Sequence, residues 1–181
     1  VDPNGWAYED IQYCVDHELM RGVGNRKFAP KMVMTRAQMV QVLYNIAGEP
    51  AVTGETPFTD LTANWYKDAV LWAYQTGVTS GTSETTFSPN DPVTREQVAV
   101  LLYKFADKVL EVGGAETPAD LSRFPDGDQV SSWAREAMAD AVALGIINGT
   151  KVDDQVFLAP QGSATRDQIA TMFEGFCASL A

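Results

Sequence analysis

A repeated motif, Thr-Arg-x-Gln, contains the residues in this chain best placed to bind an anion. It occurs at 35–38, 94–97 and 165–168. The Thr and Gln match a helix capping box, in which each side chain binds the other residue's backbone N–H. The Arg needs another explanation, because a cation opposes the positive end of the helix dipole. A carboxylate or phosphate at this place would meet free N–H groups and a guanidinium together.

The motif therefore yields two sets of candidate residues. The predicted helix-capping residues are Thr35, Gln38, Thr94, Gln97, Thr165 and Gln168. The predicted ligand-binding cations are Arg36, Arg95 and Arg166. A second interpretation is that these arginines form salt bridges with Asp60 and Asp126, the acids of two Phe-x-Asp sequences. The pattern alone favours neither interpretation, and both hold if the Asp orients the Arg.

Two further residue types recur with the motif. A Trp opens each predicted first helix, where an indole either stacks on a sugar or packs over the core, and packing is the commoner use. The repeated glycines suit tight turns, which is the default interpretation, and also let a ligand approach the backbone. The residues concerned are Trp6, Trp65, Trp133, Gly22, Gly81 and Gly149.

These residues recur because the chain contains three copies of one unit. Shifting the chain over itself aligns Trp6 with Trp65, and Phe28 and then Phe157 with Phe87. The copies span residues 1–49, 58–108 and 124–180, and Gly, Pro and Thr are enriched in the linkers between them. The third copy has a longer loop, within 151–163, that tolerates insertion.

Each copy is predicted to be a helix, a loop and a second helix that fold as a helical hairpin. Apolar residues recur at three-and-four spacing in both helices. Predicted first helices span 6–19, 65–76 and 133–144; second helices span 36–46, 95–106 and 166–176. A lone hairpin cannot bury both apolar faces, so three copies should pack about a common axis as one all-α module.

The composition narrows the function classes. The chain has 181 residues, 45% of them hydrophobic, and a net charge of −11, which argues against nucleic-acid binding. No apolar run approaches the ~20 residues of a membrane span. Cys14 and Cys177 are predicted to be buried free thiols rather than a disulfide. No metal site, cofactor motif or catalytic constellation is recognisable.

The order Phe-x-Asp, Trp, Gly-Val or Gly-Ile, Phe-x-Pro and Thr-Arg-x-Gln resembles the S-layer homology (SLH) domain, a bacterial cell-surface module usually found in threes. The second copy is closest to the pattern, with Phe58, Asp60, Trp65, Gly77 and Arg95 all in place. The resemblance implies three helix-loop-helix repeats about a pseudo-threefold axis, with a central three-helix bundle. It further implies grooves between repeats that bind secondary cell-wall polysaccharide, often through a pyruvate ketal on an amino sugar.

The resemblance implies that Arg36, Arg95 and Arg166 contact this ligand. Asp60, Asp126, the three Trp and the nearby Gly would contribute as well. The chain departs from the family pattern in three ways. Gln replaces the motif's usual Glu, Glu18 replaces a Gly, and copy one begins after its Phe-x-Asp would have ended. By this interpretation Arg95 lies in the most intact copy and Arg36 in the least complete one.

The expected function is a noncatalytic anchor, part of a larger exported protein, located outside the cell in a bacterial cell wall or S-layer. The expected partners are secondary cell-wall polysaccharide or a peptidoglycan-linked glycan. The alternative is a helical-repeat scaffold for protein–protein interaction, which would show a contiguous exposed apolar patch away from the arginines. An enzyme acting on wall glycan ranks last, because no repeated carboxylate pair is present.

Overall fold

The structure is a computed structural model and describes residues 1–25 and 27–181. Within those residues six α-helices form, two from each copy. The first helices are α1 (Tyr8–Asp16), α3 (Lys67–Gln75) and α5 (Arg135–Ala143), and the second helices are α2 (Arg36–Ile46), α4 (Arg95–Phe105) and α6 (Arg166–Ser179). None of these helices is both long and apolar enough to cross a membrane.

The second helices begin where the capping motif predicts, whereas the first helices are shorter than predicted at both ends. Trp65 and Trp133 lie in separate 3₁₀ turns, Asn64–Tyr66 and Ser132–Ala134, that precede the helix. At the other end, α4 passes into a wider π turn at Ala106–Leu110, and α6 continues beyond its predicted end. Terminal turns are the part of a helix that apolar spacing defines least.

A left-handed residue follows each first helix. In copies two and three it is Gly77 (φ +81°) and Gly145 (φ +73°), but in copy one it is Glu18 (φ +58°). An L-residue with a Cβ atom pays about 1–2 kcal/mol in this conformation, and glycine does not. Glu18 is therefore a locally strained position that the other two copies avoid.

Glu18→Gly is expected to raise the free energy of unfolding by about 1 kcal/mol, because it removes this steric cost. Urea denaturation at neutral pH measures the change. Glu18→Ala is the matched control, since it removes the carboxylate and keeps the Cβ, and it should give no comparable gain. An equal gain from both substitutions would show that the carboxylate, and not the backbone conformation, is unfavourable here.

The longer loop of copy three contains an antiparallel hairpin of β1 (Thr150–Val152) and β2 (Gln155–Phe157). The all-α prediction omitted this hairpin. The extra residues also change the alignment of the repeats. Leu158, and not Phe157, takes the buried place that Phe87 has in copy two, while Phe157 stays partly exposed at the end of β2.

Helices pack mainly between copies rather than within them. Helix α3 packs against α2, α5 against α4, and α1 against α6. Each first helix thus lies on the second helix of the preceding copy, and copy one lies on copy three. The predicted helical hairpin within each copy is wrong, because the long loop carries the chain away from its own first helix before the second begins.

Backbone hydrogen bonds link the three copies in a cycle. The Val93 N–H donates to the Met34 carbonyl at 2.9 Å, and the Ala164 N–H donates to the Val93 carbonyl at 2.9 Å. The Met34 N–H donates to the Ala164 carbonyl at 3.2 Å and completes the cycle. Each of these residues precedes a second helix by the same spacing, so the three helix starts are held against one another.

We propose that the second helices lie about a pseudo-threefold axis and form the central bundle that the family resemblance implies. The backbone cycle supports this arrangement. Aromatic packing supports it as well, since the fully buried Phe105 ring of α4 has its centroid 6.2 Å from that of Phe176 in α6 and 6.2 Å from that of Trp72 in α3.

Both cysteines are free thiols, as the sequence predicted. Cys14 is fully buried where α1 meets α6, and its Sγ donates to the Ala170 carbonyl at 3.4 Å. Burial raises the pKa of this thiol to about 12, so it stays neutral at physiological pH. Cys177 is partly buried on α6, and burial raises its pKa too. Cys14 thus packs as a small apolar residue between copies one and three.

Candidate functional site

Each repeated arginine binds a loop of the following copy. The Nε atom donates to a buried loop carbonyl at 2.8 Å: Arg36 to Phe87, Arg95 to Leu158 and Arg166 to Phe28. Copy three is followed by copy one in this scheme. The cross-copy bond uses one side of the guanidinium and fixes its position.

The three guanidinium groups are buried cations. The arginines are only 5% to 6% exposed, and burial lowers the pKa of each guanidinium. Nearby carboxylates, Asp91 and Asp60 for Arg36, act against that shift. Arg36 lies 4.8 Å from the centroid of the Phe87 ring, a favourable cation–π position. Arginine remains protonated even so, which leaves a charge with little solvent around it.

The Phe-x-Asp carboxylates hold the same loops from the other side. Asp60 accepts from the Phe87 N–H at 3.0 Å and the Ser88 N–H at 2.7 Å. Asp126 does the same for Leu158 at 2.9 Å and Ala159 at 2.7 Å. Ser88 and Ala159 have left-handed backbones, with φ of +57° and +47°. The carboxylates therefore stabilise a strained turn.

The salt-bridge interpretation of the arginines is wrong for the described residues. None of the three comes within 4.0 Å of a carboxylate oxygen. The Asp accepts from the N–H, and the Arg donates to the carbonyl, of one loop residue, Phe87 or Leu158. The two charged groups thus act on opposite sides of the same residue.

The capping motif binds as predicted in two copies and differs in the third. The Gln38 N–H donates to the Thr35 hydroxyl at 3.2 Å, and the Thr35 N–H donates to Gln38 Oε1 at 3.0 Å. Copy two repeats both bonds between Thr94 and Gln97. In copy three the Thr165 N–H still donates to Gln168 at 3.2 Å, but the Asp167 carboxylate accepts from the Thr165 hydroxyl and the Gln168 N–H.

The first N–H groups of each second helix are not free to meet an anion, contrary to the sequence prediction. The Arg36 N–H donates to the Asp91 carbonyl at 2.9 Å, and the Ala37 N–H donates to the Pro89 carbonyl at 3.0 Å. Equivalent bonds form at Arg95 and Arg166. The loop of the following copy therefore occupies the helix N-terminus and leaves these N–H groups unavailable to an anion.

The repeated tryptophans are exposed, so the packing interpretation is wrong for them. Trp6, Trp65 and Trp133 are 63%, 55% and 58% exposed. The residue after each Trp is buried instead, as Tyr66 is after Trp65. An exposed indole is available to stack on a flat apolar surface, and a sugar face is one such surface.

The repeated glycines allow close crossings of the backbone. A Cβ atom would lie 2.7 Å from the Lys27 carbonyl oxygen at Gly22, and 2.5 Å from the Thr86 carbonyl oxygen at Gly81. At Gly149 it would lie 2.6 Å from the Val156 side chain. Gly81 and Gly149 also have positive φ. Steric need explains all three, and a ligand role remains a prediction.

One groove of about 440 Å³ brings the Arg36 side chain together with parts of copies two and three. We call it the Arg36 groove. Copy two contributes its turn, one face of α4 and Gly81, and copy three contributes Trp133. The full lining is Arg36, Val78, Thr79, Ser80, Gly81, Thr82, Gln97, Val100, Leu101, Lys104 and Trp133.

A second groove of about 310 Å³ has the same plan one copy earlier, and we call it the Arg166 groove. Arg166 comes from copy three, the turn and α2 from copy one, and Trp65 from copy two. Its lining is Leu19, Arg21, Met34, Gln38, Gln41, Val42, Asn45, Glu49, Trp65 and Arg166. Arg95, Trp6, Gly22 and Gly149 line neither groove. Asp60 and Asp126 lie behind the loops.

Sequence reasoning missed the groove-facing residues of the second helices. Gln97, Val100, Leu101 and Lys104 lie on one face of α4, at the spacing of neighbouring helical residues. The aligned sequences contain a signal for these residues, because a Lys at position 104 aligns with an Asn at position 45 and shows that this helix face varies between copies. The capping role of Gln97 drew attention to the start of the helix alone.

Comparison with known proteins also divides the chain into three copies. The family model described as S-layer homology domain matches residues 1–40, 57–99 and 123–170, which is more than half of the chain. The chain belongs to the S-layer homology domain family. SLH modules are noncatalytic anchoring units of the bacterial cell surface, which is where this module acts.

The SLH module is similar to parts of much longer proteins. It is 32% identical to the "Surface-layer 125 kDa protein" of Lysinibacillus sphaericus, over 94% of this chain and 14% of that protein. It is 31% identical to "Exoglucanase XynX" of Acetivibrio thermocellus, over 95% and 15%. It is 26% identical to the "Cellulosome-anchoring protein" of the same species, over 81% and 32%. The SLH module thus spans at most about a third of these relatives.

Proposed function

We propose that this SLH module binds an acidic secondary cell-wall polysaccharide, one carrying a pyruvate ketal, in the grooves between its copies. By doing so it anchors a larger exported protein to the bacterial wall. The observation that carries the proposal is the Arg36 groove, where a buried guanidinium and an exposed indole line one depression.

The groove combines the groups that an acidic sugar needs. Arg36 uses Nε to hold Phe87, and its terminal nitrogens make no hydrogen bond to the described residues, so they are available to a carboxylate. Trp133 offers a flat apolar surface for a sugar ring. The hydroxyl groups of Thr79, Ser80 and Thr82 line the same wall and can bind sugar hydroxyls.

Two grooves on one module favour a polymer over a single sugar. Once one groove holds a polymer segment, the second binds a neighbouring segment at high effective concentration. The acidic surface, with a net charge of −11, also disfavours loose adhesion of a polyanion, so that binding depends on close contacts in the grooves. Weak individual sites can therefore produce a firm attachment.

The protein–protein scaffold is the weaker alternative. It needs a contiguous apolar patch away from the arginines. The three Trp are among the most exposed large apolar side chains of the described chain, and Trp65 and Trp133 lie in grooves beside an arginine. That placement favours a ligand with both a sugar face and a negative charge.

A sedimentation assay with purified wall sacculi tests the proposal. The module should co-sediment with intact sacculi and lose at least about 90% of its binding after the secondary polysaccharide is chemically removed. The double variant Trp65→Ala/Trp133→Ala should bind weakly to intact sacculi. Val152→Ala, which truncates an exposed side chain of the hairpin outside both grooves, is the control and should bind normally. Undiminished binding to stripped peptidoglycan would contradict the proposal.

A further inference from the structure

We infer that the Arg36 groove is the acid-selective site of the module and that Lys104 determines this selectivity. The inference rests on the proposed function and goes further, because it makes the two grooves unequal. The Arg36 groove would bind the acid-bearing sugar unit. The Arg166 groove would bind an uncharged unit of the same polymer or hold the acidic unit more weakly.

The charges that line the Arg36 groove carry the inference. Arg36 and Lys104 are its two cations, and no Asp or Glu lines it in the described structure. This composition is unusual in a chain with 24 acidic and 13 basic residues. Lys104 is half-buried, and no carboxylate oxygen of the described residues lies within 4.0 Å of its Nζ. Both cations are thus available to one anionic ligand.

The Arg166 groove has a different chemistry on the same plan. Asn45 takes the place of Lys104, and Gln41 takes the place of Val100. Arg21 gives this groove a second cation, but Glu49 also lines it, offsets that charge and repels an anionic ligand. The side-chain amides of Gln41 and Asn45 lie 2.8 Å apart, so this groove has a pair of neutral amides where the Arg36 groove has Val100 and Lys104.

Arg36 and Arg166 also differ in how many guanidinium nitrogens are already used in hydrogen bonds. Arg166 donates through Nη2 to the Arg21 carbonyl at 2.5 Å, in addition to its Nε bond to Phe28. Arg36 makes the Nε bond alone. More of the Arg36 guanidinium therefore remains for a carboxylate, and a fork of two parallel bonds is the strongest way to hold one.

Position 104 itself distinguishes the three copies. The aligned residues are Lys104 in α4, Asn45 in α2 and Gly175 in α6, which supply a cation, an amide and no side chain. All other things being equal, a second cation in a partly desolvated site strengthens anion binding by roughly tenfold. Selectivity for acid thus depends on one side chain that the helix presents to the groove.

The indole N–H resonances of the tryptophans give a separate NMR signal for each groove. Trp133 reports on the Arg36 groove and Trp65 on the Arg166 groove, while the buried Trp72 lines neither and serves as the internal control. The probe is the methyl glycoside of a 4,6-pyruvylated N-acetylhexosamine, and its uncharged methyl ester is the matched comparison. Trp133 should shift with a midpoint roughly tenfold lower in concentration than Trp65 for the acid, and not for the ester.

The substitution Lys104→Asn gives the Arg36 groove the residue type that Asn45 provides at the equivalent position of the Arg166 groove. It should raise the Trp133 midpoint roughly tenfold for the acid and leave the Trp65 midpoint unchanged. Asn45→Lys should lower the Trp65 midpoint. The inference is overturned if Lys104→Asn leaves the Trp133 midpoint where it was, if Trp65 responds first, or if neither indole responds.

The two levels of the proposal can fail separately. Loss of sacculus binding on polysaccharide removal, together with equal midpoints for acid and ester in both grooves, would keep the proposed function and reject the inference. Full sacculus binding after polysaccharide removal would reject the proposed function itself.

Discussion

Arg36→Gln is expected to weaken binding to intact wall sacculi by about 30-fold or more. The substitution removes a buried cation that binds the ligand's carboxylate through charge-assisted hydrogen bonds, whose loss typically costs about 2–5 kcal/mol in an interface. A titration of sacculi with fluorescently labelled module at low salt measures the change. Wild-type binding should fall as salt rises, and the binding that remains in the variant should respond less.

Arg36 also holds a loop, and the experiment must separate that role from ligand binding. Losing the bond to Phe87 should lower the free energy of unfolding by about 1–3 kcal/mol, so binding is measured well below the unfolding midpoint. Arg36→Lys is the control, because it keeps a cation but loses the planar fork, and it should retain part of the binding. If both variants are destabilised yet bind like wild type, the arginine has a structural role alone.

Phe105→Ala should lower the free energy of unfolding by about 3–5 kcal/mol, the largest stability effect we expect from one substitution. The ring is fully buried and packs between Trp72 of copy two and Phe176 of copy three. Removing it leaves a cavity where helices of two copies meet. Thermal unfolding followed by far-UV circular dichroism should show a midpoint lower by roughly 10 °C.

The same experiment tests whether the three copies unfold together. Intrinsic tryptophan fluorescence, in which unfolding changes the surroundings of the buried Trp72 most, and circular dichroism should give coincident transitions in both the wild type and the variant. Phe105→Leu, which keeps most of the apolar volume, is the control and should cost about 1 kcal/mol. Separate transitions for the two signals would show that copies unfold independently, contrary to the packing of helices between copies.

Local features of this module were readable from the sequence. The capping motif gave the start of α2, α4 and α6, because the Thr and Gln act within one helical turn. The repeat itself was visible as matched residues at a nearly constant spacing. The burial of Cys14 followed from its apolar helical surroundings, whereas Cys177, also predicted to be buried, is only partly so. Capping and burial depend on residues close together in the chain, and the repeat depends on matched residue types, so none of these inferences needs knowledge of tertiary contacts.

Contacts between copies could not be read in the same way. The sequence pointed to Arg95 as the arginine of the most intact copy, yet each arginine binds the loop of the following copy and not of its own. Arg36 therefore lies with the turn and helix of copy two, and no other described residue of copy one lines its groove. A motif marks its own helix and carries no information about which neighbour that helix meets.

Exposure of the tryptophans was also hidden from the sequence. A Trp at a predicted helix start resembles a core residue, and a 3₁₀ turn before the helix reverses this by burying the next residue instead. Successive side chains in a helical turn point only about 100° apart around its axis, so a small rotation decides whether the Trp or the next residue is buried. Apolar spacing cannot distinguish them where the helix has not yet begun.

The cycle of backbone bonds between Met34, Val93 and Ala164 leaves no copy at an end. Open helical-repeat arrays lengthen by adding units, and their binding surface grows with them. Here every copy already has two neighbours, so a fourth copy cannot be added. The number of binding sites on one module is therefore limited by its geometry. Under the proposed function, a protein that needs firmer attachment to the wall would carry a second complete module, so binding sites would be added three copies at a time.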